Sequence, residues 1–291
     1  MKERVLTGMG IIAVLVPVLI FSEYIVYPIA MGALALIGVW ELLRVFGLQK
    51  HYAISIPAYL IAVVLPLLAH SGFTPADKQT EYLLFVGCAM FAYLLYLIVV
   101  CVFKKERQLS AAGENPDMRI IGFGDVAAVF TAVSYVVVSF TALVITRYMS
   151  NGGKIVGLVF VAAWVSDTFA YLTGRLCGKH KLAPNLSPKK TIEGSIGGVL
   201  FAIIGCIVYG LVVESFTDLS ANYIVLGVLG FVLSIISQVG DIWASLIKRE
   251  HGIKDYSRML PGHGGVMDRF DSILAISTVL MAVCMKFPPF V

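Results

Sequence analysis

The segment from Ser245 to Asp271 concentrates charge in a chain that is otherwise strongly apolar. Only 14% of the residues in the chain are charged, whereas this segment mixes both signs with glycines, a proline and two histidines. A run of one sign would indicate a solvated tail or an anchor on anionic lipid. Mixed signs suit a site that binds phosphates together with a divalent cation. The charged residues are Lys248, Arg249, Glu250, Lys254, Asp255, Arg258, Asp268, Arg269 and Asp271.

Two further carboxylates lie inside apolar stretches, Asp167 in W-V-S-D-T-F-A-Y and Asp241 in Q-V-G-D-I-W-A-S. A carboxylate at mid-membrane costs roughly 2.5–3.5 kcal/mol, so it usually has a partner or faces a water-filled cavity. A structural ion pair or a hydrogen bond between helices is the alternative for each. Together with Asp268 and Asp271 they form a set of four carboxylates, which Mg²⁺ prefers in combination with water and substrate phosphates.

A second polar cluster runs from Gly174 to Ser195. Its second half, S-P-K-K-T-I-E-G, resembles the opening of a helix, where exposed N–H groups favour a phosphate. Positive charge at a cytoplasmic membrane boundary explains the first half, but not the Ser-Pro, Thr and Glu-Gly punctuation of the second. The candidate substrate-binding residues in this half are Ser187, Lys189, Lys190, Thr191 and Glu193.

Several common sites are not indicated by the sequence. It contains no G-x-x-x-x-G-K-[ST] P-loop, no G-x-S-x-G elbow and no H-E-x-x-H zinc motif. The five cysteines include no C-x-x-C pair, so neither a disulfide framework nor a zinc site is predicted.

The composition predicts the fold class. With 59% hydrophobic residues and long apolar stretches from end to end, the chain is expected to be an all-α, polytopic membrane protein. We expect one membrane domain over residues 1–291, with the motif-bearing catalytic half at 154–291. The first apolar run is interpreted as a retained span, rather than a signal peptide, because it lacks a small-residue cleavage site. Nine transmembrane helices are predicted, near residues 4–21, 23–46, 52–70, 82–103, 125–147, 154–175, 195–213, 222–244 and 270–287.

The distribution of positive charge predicts the orientation. With the N-terminus in the cytoplasm, all but four of the 22 Lys and Arg residues fall in cytoplasmic segments, as the positive-inside rule requires. The helices at 154–175 and 222–244 then run towards the cytoplasm, and the helix at 270–287 starts there. The four carboxylates therefore gather at the cytoplasmic side of what we expect to be the plasma membrane.

Small residues recur at four-residue spacing in the same region. Ser166, Ala170 and Gly174 share one face of the helix at 154–175, and Gly194 and Gly198 lie at the start of the next helix. Such spacing lets two helices approach closely in lipid, so we expect these two helices to pack tightly.

The segment Ser245–Asp271 resembles the signature of the phosphatidate cytidylyltransferases, or CDP-diacylglycerol synthases. Similar family motifs are D-x-x-A-Y at Asp167–Tyr171, S-P-K-K-T-x-E-G at Ser187–Gly194 and Q-x-G-D at Gln238–Asp241. The motifs cover about the C-terminal half of the chain. The signature positions are filled by Ser245, Lys248, Arg249, Lys254, Asp255, Ser257, Pro261, His263, Gly264, Gly265, Asp268, Arg269 and Asp271.

The resemblance implies an enzyme that transfers CMP from CTP to phosphatidate, giving CDP-diacylglycerol and pyrophosphate. It implies dependence on Mg²⁺, with K⁺ as a candidate second cation. The expected partners are CTP, phosphatidate and membrane lipid, with no nucleic acid; a homodimer is the assembly considered. A CTP-dependent polyprenol or phytol kinase and an ion-coupled transporter are the alternatives.

The resemblance also assigns roles to individual residues. Asp241 and Asp268 are the first candidates for metal ligands, and Asp167 and Asp271 are further ones. Asp241, Asp268, Lys248 and Arg249 form the expected catalytic set. The attacking phosphate oxygen is already anionic at neutral pH, so catalysis should depend on positioning and charge neutralisation. Substrate binding is expected from Ser187, Lys189, Lys190, Thr191, Glu193, Lys254, Asp255, His263 and Arg269.

The orientation can be tested by labelling. In a variant without the native cysteines, a cysteine placed near Lys189 should react with a membrane-impermeant maleimide only from the cytosolic side. A cysteine in the 71–81 loop serves as the control and should react only from the outside. Labelling near Lys189 in intact cells would contradict the predicted orientation.

Overall fold

The structure, a computed structural model, describes residues 10, 13, 16–71, 79–112 and 121–291. Within these residues the chain forms eight long helices and one two-stranded antiparallel hairpin. The helices are α1 (Val26–Val45), α2 (Tyr52–Ser71), α3 (Gln79–Ala112), α4 (Phe123–Arg147), α5 (Gly152–Cys177), α6 (Ile192–Phe216), α7 (Tyr223–Glu250) and α8 (Met267–Lys286). The strands are β1 (Lys181–Ala183) and β2 (Ser187–Thr191).

The protein is an all-α, multi-pass membrane protein. Seven of the described helices, α1 to α7, contain a stretch long and apolar enough to cross a membrane. Helix α8 occupies the place of the last predicted span, but its first turns carry Asp268, Arg269 and Asp271, and it is not one of the seven. The first predicted span, 4–21, lies largely outside the described residues.

One predicted helix boundary was wrong. The span predicted near residues 82–103 belongs to α3, which continues to Ala112. Lys, Glu, Arg and Gln are good helix formers, and they extend the helix beyond its apolar part.

In the S-P-K-K-T-I-E-G segment, the predicted helix opening is confirmed only for the last three residues, because S-P-K-K-T forms strand β2. Lys181 pairs with Thr191, and Ala183 pairs with Ser187. The residue before a proline is biased towards extended backbone, which favours a strand at Ser187. The helix begins one residue after β2, where the Thr191 hydroxyl accepts a hydrogen bond from the Gly194 N–H at 3.1 Å. The short hairpin therefore leads directly into α6.

The close packing expected between the two small-residue helices is confirmed. A Cβ added at Gly194 would lie 2.5 Å from the Ala170 carbonyl oxygen, and one added at Gly198 would lie 2.9 Å from that of Ser166. Helices α5 and α6 therefore touch backbone to backbone, as small residues permit in lipid. This contact fixes the hairpin, which connects the two helices, against the C-terminal end of α5.

Helix α4 links the two halves of the chain. It packs against α1, α2 and α3 on the N-terminal side and against α5 and α8 on the other. It is the most enclosed of the seven candidate spans, with 67% of its apolar window buried. Helix α8 is therefore held between α4 and α7, with its first turn facing the site described below.

Helices α6 and α7 make a second close approach, which can be tested with matched glycines of α7. A Cβ at Gly230 would lie 2.7 Å from Ile203 Cα, whereas one at Gly227 would meet only a side-chain atom at 3.9 Å. Because overpacking costs about 1–3 kcal/mol, Gly230→Ala should lower the thermal midpoint in detergent. Gly227→Ala should leave it unchanged or raise it, and equal midpoints for the two variants would contradict the helix packing.

Candidate active site

Five elements surround a cavity of about 330 Å³, named here the carboxylate cavity. It lies between α5, the hairpin, the start of α6, the C-terminal half of α7 and the start of α8. Its lining includes Ser195, Gln238 and Ser272, which add uncharged side-chain oxygen atoms. It also includes seven residues predicted from the sequence: Asp167, Lys189, Lys190, Thr191, Asp241, Asp268 and Asp271.

Lys190 reaches across the cavity from β2 to α7. Its Nζ lies 2.6 Å from Asp241 Oδ2 and 3.4 Å from the Gln238 carbonyl oxygen. Both side chains are partly exposed, at 23% for Lys190 and 30% for Asp241, so the pair is open to the cavity. The hairpin and α7 are thereby joined by an ion pair that an incoming cation or phosphate could reach.

Asp268 is an enclosed carboxylate of the cavity lining. Its side chain is 4% exposed, and its Oδ1 accepts a hydrogen bond from Lys248 Nζ at 2.8 Å. Its Oδ2 accepts from the backbone N–H groups of Tyr256 at 2.8 Å and Gly265 at 3.0 Å. Asp268 therefore connects the loop between α7 and α8 to the first turn of α8, and it also lines the cavity.

The other two carboxylates share a neighbour on α8. The Ser272 hydroxyl donates to Asp167 Oδ2 at 3.2 Å, and the Ser272 N–H donates to Asp271 Oδ1 at 2.8 Å. The Tyr135 hydroxyl of α4 donates to the Asp271 carbonyl oxygen at 3.0 Å. Ser272 thus sets the spacing between the acid on α5 and the acid on α8.

A ladder of neutral polar groups continues from the cavity into the helix bundle. The Ser166 and Ser234 hydroxyls lie 2.7 Å apart, and Gln238 Nε2 donates to the Ser234 hydroxyl at 3.3 Å and to the Ser195 carbonyl oxygen at 3.2 Å. The Ser195 hydroxyl donates to Gln238 Oε1. These bonds satisfy buried polar groups and hold α5, α6 and α7 in register.

A second cavity, of about 670 Å³, is named here the basic cavity. It is formed by the loop between α7 and α8, with Arg269 from the first turn of α8. The Arg269 Nε donates to the His263 carbonyl oxygen at 2.8 Å, and the Leu260 N–H donates to the Gly264 carbonyl oxygen at 2.9 Å. Its lining includes Lys254, Asp255, His263 and Arg269, all predicted for substrate binding, and also Arg258.

Four predicted site residues line neither cavity. Glu193 accepts from the Lys179 N–H at 3.1 Å and contacts His180 Nδ1 at 2.7 Å, so it holds the turn before β1. Lys248 is paired with Asp268. Arg249 is exposed at the end of α7, and Ser187 starts β2.

Glu41 was missed by the sequence analysis. It is fully buried, and it accepts hydrogen bonds from the loop between α7 and α8. The signal that singled out Asp167 and Asp241, a carboxylate inside an apolar stretch, was also present in V-W-E-L-L of α1. No motif in the N-terminal half drew attention to it.

The donors of the carboxylate cavity suit a hard divalent cation. Carboxylate, amide and hydroxyl oxygens are the ligands that Mg²⁺ prefers, and Mg²⁺ commonly binds through one or two carboxylates, water and substrate phosphates. Within the described part of the chain, no group of three or more His, Cys, Asp or Glu side chains is placed to hold a metal ion by itself. A cation in this cavity would need water or substrate phosphates as further ligands.

The sequence matches the model of the cytidylyltransferase family over residues 2–287. The chain belongs to this family. A phosphatidate cytidylyltransferase of Staphylococcus epidermidis is 34% identical over 280 residues, which covers 96% of this chain and 97% of the relative. Those of Staphylococcus haemolyticus and Staphylococcus aureus strain COL are 33% and 34% identical, over 280 and 284 residues, with the same shares of both chains covered.

Two glycines in the loop between α7 and α8 of this cytidylyltransferase family member test the contact between Gly264 and Asp268, which separates the two cavities. Gly252 and Gly264 have φ values of +65° and +85°, so alanine at either would cost about 1–2 kcal/mol of backbone strain. Only at Gly264 would the added Cβ also meet Asp268 Oδ2, at 2.8 Å. We expect Gly264→Ala to lower the thermal midpoint in detergent more than Gly252→Ala. Equal shifts would contradict the placement of Asp268 behind Gly264.

Proposed function

We propose that the protein is a phosphatidate cytidylyltransferase that faces the cytoplasm. A phosphate oxygen of phosphatidate attacks the α-phosphorus of CTP, the bond from that phosphorus to the bridging oxygen breaks, and pyrophosphate leaves. The products are CDP-diacylglycerol and pyrophosphate. The observation that carries the proposal is the carboxylate cavity, where acids of α5, α7 and α8 meet lysines of β2 in a chain of the cytidylyltransferase family.

The reaction needs no strong general base, because the attacking phosphate oxygen is already anionic. The obstacle is to bring one anion against another, which positioned cations overcome by neutralising charge. Lys189 and Lys190 line the cavity from the hairpin and would hold a phosphate there. The Lys190 ammonium is paired with Asp241. It would also be able to contact a phosphate bound in the same cavity.

Asp241 and Asp268, with Asp167 and Asp271 as further ligands, would hold Mg²⁺ in this cavity. The cation would neutralise charge on the phosphates and polarise them towards attack. K⁺ is proposed as a second cation. Asp241 is partly exposed in its ion pair with Lys190, whereas Asp268 is enclosed in its ion pair with Lys248.

The basic cavity is the proposed second position for substrate phosphate. Arg258 and Arg269 could each grip a phosphate through two parallel hydrogen bonds, whereas Lys254 would act as a point charge. Gly264 lines this cavity, and an added Cβ there would contact Asp268, which lines the other. A substrate with several phosphates could therefore extend from one cavity towards the other, past Gly264 and Asp268.

The proposed location is the plasma membrane, with the cavities on the cytoplasmic side. CTP would arrive from the cytosol, while phosphatidate keeps its acyl chains in lipid. The single membrane domain, the homodimer and the lack of a nucleic-acid partner stay predictions.

Purified protein with labelled CTP, phosphatidate and Mg²⁺ should release pyrophosphate and form CDP-diacylglycerol in equal amounts. Asp241→Asn should lower turnover at least ~100-fold, because it removes a charge that acts on the transition state. Asp218→Asn, an exposed acid in the connection between α6 and α7, is the matched control and should keep full turnover. Absence of CDP-lipid with folded protein would refute the function, and a fully active Asp241→Asn variant would refute the role of Asp241.

A further inference from the structure

Glu41 brings a buried carboxylate from the N-terminal half of the chain to the loop that follows α7. Its Oε1 accepts a hydrogen bond from the Ser257 hydroxyl at 2.5 Å and one from the Val266 N–H at 3.0 Å. Its Oε2 accepts from the Met267 N–H at 2.8 Å. The partners lie more than 200 positions away in sequence, so the bonds join two distant parts of the chain.

Two of these donors are the first backbone N–H groups of α8. Such groups have no partner within their own helix, and a negative charge at a helix N-terminus is stabilised by the helix dipole. Val266, the N-cap residue, makes no side-chain hydrogen bond that would cap α8. Glu41 therefore caps α8 from another helix.

The backbone around Glu41 is shaped to admit it. A Cβ added at Gly265 would lie 2.1 Å from Glu41 Oε1, and one added at Gly38 would lie 3.3 Å from Met267 Sδ. Only glycine fits at Gly265 without moving the carboxylate. The two adjacent glycines of the signature therefore lie against different carboxylates. Gly264 lies against Asp268, and Gly265 lies against Glu41.

Glu41 and Asp268 hold the same two pieces of the loop. Asp268 accepts from the N–H groups of Tyr256 and Gly265, and Glu41 accepts from the adjacent residues, Ser257 and Val266. One carboxylate faces the carboxylate cavity, and the other lies in the protein interior. A shift of Glu41 would consequently move the peptide that orients Asp268.

We propose that Glu41 is a positioning residue for the cytidylyl transfer: it fixes the start of α8 and the loop before it, and so places Asp268 and Arg269 in the two cavities. Glu41 lines neither cavity, so it acts through these residues and not on substrate. The inference rests on the proposed function for its activity readout and on the proposed metal site for its Mn²⁺ readout.

The test compares Glu41→Gln with Val39→Ala, a core substitution in the same helix that leaves the loop contacts in place. Val39 is 1% exposed, so its truncation lowers stability without removing a bond to the signature. In Glu41→Gln, an amide NH₂ replaces one acceptor oxygen and faces a donor of the loop. Three quantities are measured on each detergent-purified protein: the thermal midpoint, Mn²⁺ affinity by electron paramagnetic resonance, and turnover.

We expect Glu41→Gln to lower turnover about 10–100-fold, since displacements of about 1 Å remote from the reacting atoms can cost this much. Its Mn²⁺ affinity should fall by about 10-fold or more, the scale on which positioning groups act on metal sites. Val39→Ala should keep wild-type turnover and Mn²⁺ affinity, even where its thermal midpoint falls as far as that of Glu41→Gln. Wild-type Mn²⁺ affinity and turnover in Glu41→Gln would overturn the proposal.

Ser257→Ala covers the case in which Glu41→Gln fails to fold. It removes the Ser257 hydroxyl, which donates to Glu41 and accepts from the Met259 N–H, and it leaves both backbone bonds to Glu41. It should therefore weaken Mn²⁺ binding by a smaller factor in the same direction. Unchanged Mn²⁺ affinity in folded Ser257→Ala would also overturn the proposal. A wild-type protein that binds Mn²⁺ but makes no CDP-lipid would instead refute the proposed function, and the Mn²⁺ comparison would still decide the role of Glu41.

Discussion

The hydrogen bonds from the loop between α7 and α8 to two enclosed carboxylates are the interaction on which the rest of the site depends. Asp268 accepts from the Tyr256 and Gly265 N–H groups, and Glu41 accepts from Ser257, Val266 and Met267. An enclosed carboxylate is tolerated only where donors compensate it. The loop supplies those donors, so its conformation, the wall between the two cavities and the start of α8 are fixed together.

The same requirement explains how the two halves of the chain cooperate. The signature residues lie in the C-terminal half, yet α1 supplies Glu41 and α4 supplies Tyr135 to the elements that carry them. On the other side of the cavity, the backbone contact between α5 and α6 fixes the hairpin, and Lys190 bridges it to Asp241. A cavity with acids from three helices and lysines from one strand is the result, and it suits the joining of two phosphate-bearing substrates.

Hydropathy predicted the helices well because burial in lipid requires long apolar stretches with internal hydrogen bonding. The four carboxylates expected to gather at one side of the membrane, Asp167, Asp241, Asp268 and Asp271, all line the carboxylate cavity. Three features lay beyond such patterns. The β1–β2 pairing depends on the register of two very short strands, the separation of two cavities depends on the loop conformation, and the contact of Glu41 with Val266 depends on tertiary packing across 225 positions.

A crystal structure of the protein with Mn²⁺ and a non-hydrolysable CTP analogue would show whether the carboxylate cavity binds the cation, because the anomalous signal of Mn²⁺ locates the cation independently of the protein density. We expect a peak inside the carboxylate cavity, at coordination distance from Asp241 and from a phosphate oxygen of the analogue. Lys190 should then no longer be paired with Asp241. A peak beside Asp255 in the basic cavity, or bound analogue with no cation near Asp241, would contradict the proposed roles of the two cavities.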